Sequence, residues 1–415
     1  MITNLRTQNF KSWKDTGDLR LSPLTGLFGT NSSGKSSILQ VLLMLKQTVE
    51  SSDVNRVLHL GGDLKSFVDL GTFYDIIHCH ETARTLAFSV TWGPSGVNRS
   101  AGRGPNHFVA EVDQRQGRIV VSRFAYDNKD GYRAGVELGL DGKYASFEDD
   151  EAPRISGSPL RFYRFPPDQA SSPPTAGWLM SFELEQFFQE LSYLGPLRVP
   201  PARWYLFGGA APRDVGRDGA ETVQALLASS LSVTEKVAKQ LAKMNLAHSF
   251  ILKPIGRDRR DHEVLIKTTE ESPEVLLTDV GFGISQILPV LVLCYYVPEG
   301  TTLLIEQPEL HLHPSAQSVL ADVFIDVVKN RKLQIIFESH SEHLLRRIQR
   351  RIAEGELPAK DASMYFCQIE KGESKANELQ LTEDGFIKNW PQDFFGDDMG
   401  DLVAMTEASI ERKRR

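Results

Sequence analysis

The chain is short of cysteine, of long apolar runs and of positive charge. Three cysteines, Cys79, Cys294 and Cys367, stand far apart among 415 residues with no CxxC pair. That excludes a disulfide framework and a zinc ribbon and fits a reducing cytoplasm. The longest apolar run, Leu288 to Val297, is about half of the roughly 20 residues that span a bilayer, and no secretion signal opens the chain. We therefore expect no membrane partner and a cytoplasmic location. A formal net charge of −7 repels phosphate overall, so a nucleic acid would need a local basic patch. At about 150 residues per domain, the length predicts two or three structural units.

The pattern along the chain changes several times. Leu19–Leu21 and Leu24–Phe28 read as strands before a Gly/Ser-rich break and a helix Ser36–Val49, the opening of an α/β domain. Short alternating runs at Leu86–Trp92, Phe108–Val112 and Arg118–Phe124 predict an antiparallel sheet lobe. Pro and Ser crowd Ser156–Pro174, a predicted linker or exposed loop, and a helix is expected over Trp178–Tyr193. Leu194–Gly219 is loop-like, and Glu221–Leu246 is helical. The α/β pattern then resumes, with strands Thr302–Ile305 and Leu333–Phe337 on either side of a helix Ala316–Lys329. The expected division is 1–83 and 251–388 for the split α/β lobe, 84–165 for an antiparallel β subdomain, 166–250 for a helical and loop insertion, and 389–415 for a tail.

Four stretches carry chemistry. Gly29-Thr-Asn-Ser-Ser-Gly34-Lys35-Ser36 matches GxxxxGK[ST] between a strand and a helix, the context of a P-loop. Small residues let successive N–H groups face phosphates, the helix N-terminus favours anions, Lys35 reaches phosphate oxygens and Ser36 offers a hydroxyl to Mg²⁺. The expected ATP-binding set is Gly29, Thr30, Asn31, Ser32, Ser33, Gly34, Lys35, Ser36 and Ser37. Downstream, a strand ends in Glu306, followed by Gln307, Pro308, Glu309 and Leu310–Pro314. A carboxylate at a strand's C-terminal end can sit beside Mg²⁺ on Ser36. Asp279-Val-Gly281-Phe-Gly283-Ile-Ser285 precedes an apolar helix whose Pro289 requires a start near Ser285, placing a second anion-friendly turn there. Last, a strand runs into Glu338-Ser339-His340-Ser341-Glu342-His343, which puts His340 at the same sheet edge.

In chain order, P-loop, long insertion, Gly281 turn, carboxylate strand and His-ending strand, these stretches resemble the ABC-type ATPase heads of the RecF, SMC and OLD-like group. Asn31-Ser-Ser-Gly-Lys, Ile305-Glu-Gln-Pro-Glu-Leu-His-Leu-His-Pro314 and Ser339-His-Ser-Glu-His343 are most similar to stand-alone bacterial anti-phage defence ATPases such as the Septu-type ATPase. Asn9-Phe-Lys-Ser-Trp13 resembles the opening strand of such heads, and Asn389-Trp-Pro-Gln-Asp-Phe-Phe395 their tail. The likeness covers both ends of the chain. It implies an α/β P-loop NTPase of ABC-head type with an inserted antiparallel β lobe and a helical insertion, and ATP and Mg²⁺ as cofactors. It also implies a head-to-tail homodimer with ATP between the P-loop of one subunit and Gly281, Gly283 and Ser285 of the other. Carried over by residue, Gly34 and Lys35 bind phosphate, Ser36 and Glu306 serve the metal, His340 is the switch histidine, and Leu310–Pro314 crosses the interface. The usual catalytic Glu is replaced by Gln307, which orients water but takes no proton. Either Glu309 substitutes, or hydrolysis is slow and ATP mainly holds the dimer closed. Ser285 stands in for the signature serine that Gly281 replaces. The function implied is control of a separately encoded effector, a nuclease, in anti-phage defence.

Two other functions compete. A RecF-like repair ATPase would bind DNA directly, through Arg346, Arg347, Arg350 and Arg351 on one face of helix Glu342–Ile352, or through Lys253, Arg257, Arg259, Arg260 and Arg412–Arg415. A solvated helix face is the plainer expectation for that stripe. A transporter subunit is disfavoured by the roughly 250 residues between P-loop and signature. His78-Cys79-His80, on alternate strand positions, cannot complete a metal site. Asp397, Asp398 and Asp401 read as an acidic linker. The segment Tyr193–Tyr205, rich in Pro, Arg and aromatics, reads either as a docking loop or as a buried crossover.

Overall fold

The computed structural model describes residues 1–93, 106–149, 152–166, 176–256, 259–391, 394–396 and 398–414. The chain opens with β1 (Ile2–Phe10), β2 (Trp13–Asp15), β3 (Leu19–Arg20) and β4 (Leu24–Gly29), followed by α1 (Lys35–Glu50) and the short α2 (Phe73–Ile76). A meander follows: β5 (Leu86–Trp92), β6 (Asn106–Arg115), β7 (Arg118–Asn128), β8 (Arg133–Leu138), β9 (Tyr144–Glu148) and β10 (Arg154–Ser156). Next come α3 (Ala176–Glu190), β11 (Ser192–Leu194), β12 (Tyr205–Leu206), α4 (Thr222–Ala228), α5 (Leu231–Lys243), β13 (Ser249–Pro254), β14 (Asp261–Lys267) and β15 (Val275–Leu276). The last part holds α6 (Phe282–Tyr296), β16 (Thr302–Glu306), α7 (Pro314–Arg331), β17 (Gln334–Glu338), α8 (Glu342–Ala353), β18 (Ala362–Glu370), β19 (Glu373–Glu378) and α9 (Asp398–Arg414).

These elements form three sheets. The central one has the order β11-β16-β17-β4-β18-β19, parallel from β11 to β18 with β19 antiparallel at its edge. Strands β16 and β17 are buried throughout, the mark of strands covered on both faces. Leu303, Ile305, Ile335 and Phe337 join the core beneath α4 to α8, whereas Leu304 and Ile336 join a second core built on α1, α3 and the antiparallel sheet. The alternation of side chains thus assigns each strand residue to one of two cores.

The antiparallel sheet is not an appended lobe. β5 pairs with β1, so the order runs β10-β9-β8-β7-β6-β5-β1-β2, with β3 also on β1. The expected boundary at residue 84 therefore falls inside one sheet. The segment expected to be an exposed linker is also part of the core over its described residues: Phe162, Tyr163 and Phe165 are buried, and Arg161 caps α1 by donating to the carbonyls of Val49 and Ser51. Three aromatic rings there bury more area than an exposed loop could leave in water.

Other boundaries differ for local reasons. The helix expected to reach Tyr193 stops at Glu190, because Tyr193 belongs to β11 at the edge of the central sheet. The helical stretch 221–246 breaks at Ser229 and Ser230 into α4 and α5. α6 starts at Phe282, three residues before the expected Ser285, and carries Pro289 inside it. The pyrrolidine is accommodated by Gly219, whose missing Cβ would lie within 3 Å of the ring, and the helix forgoes the one N–H donor that proline lacks. His78-Cys79-His80 forms a 3₁₀ turn, with both histidines bonded to backbone carbonyls, and not a strand.

Candidate nucleotide site

β4 delivers the P-loop to the C-terminal edge of the central sheet, as a parallel α/β sheet requires of a ligand site. Gly34 has φ 90° and a Cβ there would strike Ser374, Trp13 and Ser12; the position needs glycine on both counts. Trp13, fully buried, donates to the Gly34 carbonyl at 3.0 Å, so the β1–β2 corner braces the loop from outside. Lys35 is buried and donates to the carbonyls of Gly29 and Thr30 at 3.1 and 2.7 Å. Burial lowers its pKa. An ammonium held among backbone oxygens, poorly hydrated and facing an open cleft, is ready for a phosphate.

The cleft itself, about 280 Å³, is lined by Ser12, Asn31, Ser32, Ser33, Gly34, Lys35, Ser36, Ser37, Gln307, Glu338 and His340. Most of the expected phosphate-binding residues therefore share one cavity with Gln307 and His340. Glu306 and Glu309 do not line it. Ser36 donates to Glu338 at 2.6 Å, and not to Glu306. The reason is topological: β17 lies between β4 and β16, so the carboxylate beside the P-loop is the one ending β17. Glu306 and Glu338 are register partners, and Glu306 accepts from the Tyr193 hydroxyl at 2.8 Å. Burial, with Glu338 alongside, pushes Glu306 up to about 7. Burial also raises Glu338, opposed by its bond from Ser36 and by Lys35. A hydroxyl and a carboxylate converging at the mouth of a phosphate cradle fit Mg²⁺, a cation that takes oxygen ligands.

Glu309 is buried and accepts the His340 N–H at 2.7 Å, while its second oxygen has no partner among the described residues. It braces the His340 turn from behind. His340 is lowered by burial and then by Lys35, which keeps its ring neutral near pH 7. Gln307 sits in the left-handed region at φ 44° and donates its N–H to the Glu338 carbonyl. That strain is tolerated only where surrounding bonds determine it.

The signature turn stands apart from this cleft. Gly281 is the exposed N-cap of α6; Gly283 lies against the His311 carbonyl, and the half-exposed Phe282 ring meets His311 edge to face at 5.0 Å. The turn and the 310–314 loop thus share one surface. Ser285 does not offer its hydroxyl there: it is buried and donates to the Phe282 carbonyl at 2.8 Å, which satisfies a helical serine locally.

The arginine stripe of α8 is occupied internally. Arg347 and Arg351 both bond Asp322 at 2.6–2.7 Å, Arg346 bonds Glu342 and lies over Trp390, and Arg350 bonds Glu354. Leu344, Leu345, Ile348 and Ile352 are buried as expected. Lys253 pairs with Glu263 and Arg259 with Asp261. Arg257, Asp397 and Arg415 lie outside the described residues, as do the side chains of Asp398 and Asp401. Trp390, Phe394 and Phe395 of the tail stack together and pack edge-on against Phe28 and Phe366, fastening the tail to β4 and β18. Among the described residues no group of three or more His, Cys, Asp or Glu could hold a metal, and no helix is long and apolar enough to cross a membrane.

Three contributors escaped the sequence reading. Glu338 carries the signal used for Glu306, a lone carboxylate closing an apolar strand. Trp13 was visible only as part of a resemblance. Arg198, in the segment with two open readings, is a buried crossover residue that donates to the carbonyls of Gln286, Glu306 and Gln307, and nothing in its sequence neighbourhood indicates those partners.

The family described as AAA ATPase domain matches residues 1–90 and 219–345, and a family described as a protein of unknown function, DUF3696, matches residues 357–405. The second AAA stretch begins inside the segment 166–250 read from sequence as an insertion. It takes in α4 and α5, which pack in the core beneath the central sheet. No curated protein matches the chain. Among solved structures, an SMC head bound to the C-winged helix domain of ScpA is 12% identical, covering 92% of this chain and 98% of that one, with a TM-score of 0.49. The SMC head domain from Thermotoga maritima is 12% identical, with 92% and 99% covered and a TM-score of 0.39. An Smc head domain with an extended coiled coil, bound to the C-terminal domain of ScpA derived from Pyrococcus furiosus, is 11% identical, with 91% and 96% covered and a TM-score of 0.43. The fold is an α/β ATPase with a P-loop on a parallel sheet, as expected, joined to an antiparallel sheet, and with more than half of its residues matched the chain belongs to the AAA ATPase domain family.

Proposed function

We propose that the protein binds ATP with Mg²⁺ in the cleft around Lys35, hydrolyses it slowly, and uses the bound nucleotide to join two copies head to tail, thereby controlling a separately encoded effector. One observation carries the reading: Lys35, Ser36, Glu338, Gln307 and His340 converge on one cleft, while the exposed Gly281 turn is not part of its lining. An anion-binding turn with no phosphate of its own is complete only when a second copy supplies one.

Within the cleft, the P-loop N–H groups and Lys35 take phosphate oxygens, and Ser36 and Glu338 hold the metal, with Glu306 behind them. Mg²⁺ there would neutralise charge on the β- and γ-phosphate oxygens. Gln307 and the neutral His340 ring are placed to orient water near the terminal phosphate. Glu309 is turned into the core, so we assign it support of His340 and not proton removal. Without a carboxylate in the place of Gln307, turnover is slow and the closed dimer persists.

The effector, a nuclease encoded beside this chain, and a role in anti-phage defence follow from the resemblance of the motifs. The test is to purify the chain with its genomic neighbour, with and without ATP and Mg²⁺, and measure mass and phosphate release. Dimerisation that requires ATP and is lost in Lys35→Ala supports the reading; a mass indifferent to ATP rejects it. Glu309→Gln should bind ATP normally, and an ATP-dependent dimer with unchanged turnover would confirm that Glu309 is not the base.

A further inference from the structure

We propose that Arg198 is a positioning residue for the nucleotide chemistry: it clamps the 306–309 corner to the first turns of α6, so that Gln307 in the cleft and the helix carrying Gly281 are held as one piece. The inference rests on the ATPase reading above.

The geometry is that of a clamp. One guanidinium nitrogen donates to the Gln286 carbonyl in α6 at 3.0 Å; the other is shared between the Glu306 and Gln307 carbonyls at 3.2 and 3.3 Å. Three elements meet on one side chain that is 7% exposed. A rigid fork can do this; an ammonium cannot reach both sides with fixed angles. Both clamped sites need outside support. Gln307 is strained at φ 44°, and in α6 the donor missing at Pro289 leaves the carbonyl of Ser285, next to the clamped one, without its helical N–H partner.

The surroundings are under-satisfied. Nε of Arg198, Nε2 of Gln286 and the second carboxylate oxygen of Glu309 are all buried without a partner among the described residues. Glu309 attracts Arg198 without bonding it, and burial holds the guanidinium down at about 10. A buried polar cluster with spare donors and a spare acceptor is costly as it stands.

The test uses Arg198→Met and Arg198→Lys in the full chain, with two readouts. In steady state with ATP and Mg²⁺, both variants should bind ATP within about 3-fold of wild type while kcat falls about 10-fold or more, the scale expected when a reacting group is misplaced by a fraction of an ångström. By amide hydrogen exchange without nucleotide, protection should drop at 282–290 and at 307–312 together, leaving 35–50 unchanged. Unchanged kcat with intact wild-type turnover, or loss of protection in one segment alone, overturns the proposal. If wild type shows no turnover, the ATPase reading fails and the exchange result still decides the clamp. If Arg198→Met does not fold, Arg198→Lys carries both measurements.

Discussion

The nine-stranded and six-stranded sheets bury opposite kinds of surface. The antiparallel sheet closes over Phe88, Phe108, Phe124, Tyr126 and Phe162, whose rings lie 4.8–6.5 Å apart; the hydroxyl of the fully buried Tyr126 is bonded to the Tyr163 carbonyl. The parallel sheet ends in buried carboxylates, Glu306 and Glu338, side by side and raised in pKa, with Glu309 half satisfied nearby. An apolar core gains from every ring it covers. A polar edge of this kind costs stability unless a ligand completes it. The first sheet holds the molecule together, and the second holds it ready.

That contrast can be broken in several places. The largest effect should follow Phe108→Ala, a fully buried ring touching four others: a loss of about 3–5 kcal/mol in denaturant unfolding, with ATP affinity of the remaining folded protein unchanged. A large loss of affinity would mean that the two sheets do not work separately. Next is Glu306→Gln. In the folded protein Glu306 keeps its proton up to about pH 7, against 4.5 ordinarily. Its contribution to stability is therefore full below about pH 4.5 and is lost as pH rises through 7. Above pH 7 the amide variant without nucleotide should be more stable than wild type by up to about 3 kcal/mol, and its melting temperature should fall less between pH 5 and 8. Equal slopes would show that Glu306 is not raised.

Lys35→Ala should weaken ATP binding by about 10- to 100-fold, the worth of one or two charged hydrogen bonds, with no loss of stability because a desolvated ammonium is removed. Titration calorimetry and a melting curve check both halves. The smallest effect belongs to Asp322→Ala, which frees Arg347 and Arg351: about 1 kcal/mol or less for these partly exposed pairs. If the stripe is only a solvated face, duplex DNA should bind the variant no better than wild type at 150 mM salt.

Elements with strong periodicity were legible before the fold was known: α1, α8, β4, β16 and β17 follow their apolar patterns closely, and the P-loop follows its spacing. Where the reading missed, the cause was tertiary. Tyr193 has helical spacing but pairs with Leu304 in β11, because an edge of the parallel sheet was open to it. Pro289 marks a helix start by local rules, yet Gly219, 70 residues earlier, makes room for it inside α6. The carboxylate beside Ser36 is that of Glu338, since sequence order does not reveal which strand neighbours the P-loop. Arg198 is the extreme case, since its three partners are backbone carbonyls, which leave no trace in side-chain identity.

The position of β4 has a temporal consequence. Its hydrogen-bonded neighbours β17 and β18 leave the ribosome about 300 residues later, and the aromatic segment that packs on Phe28 later still. At about 5–20 residues per second, the phosphate-binding strand waits about 15–60 s for the strands that flank it. A nascent or truncated chain carries an intact P-loop sequence but no sheet to mount it on. Nucleotide competence thus waits on strands that are made long after the P-loop itself.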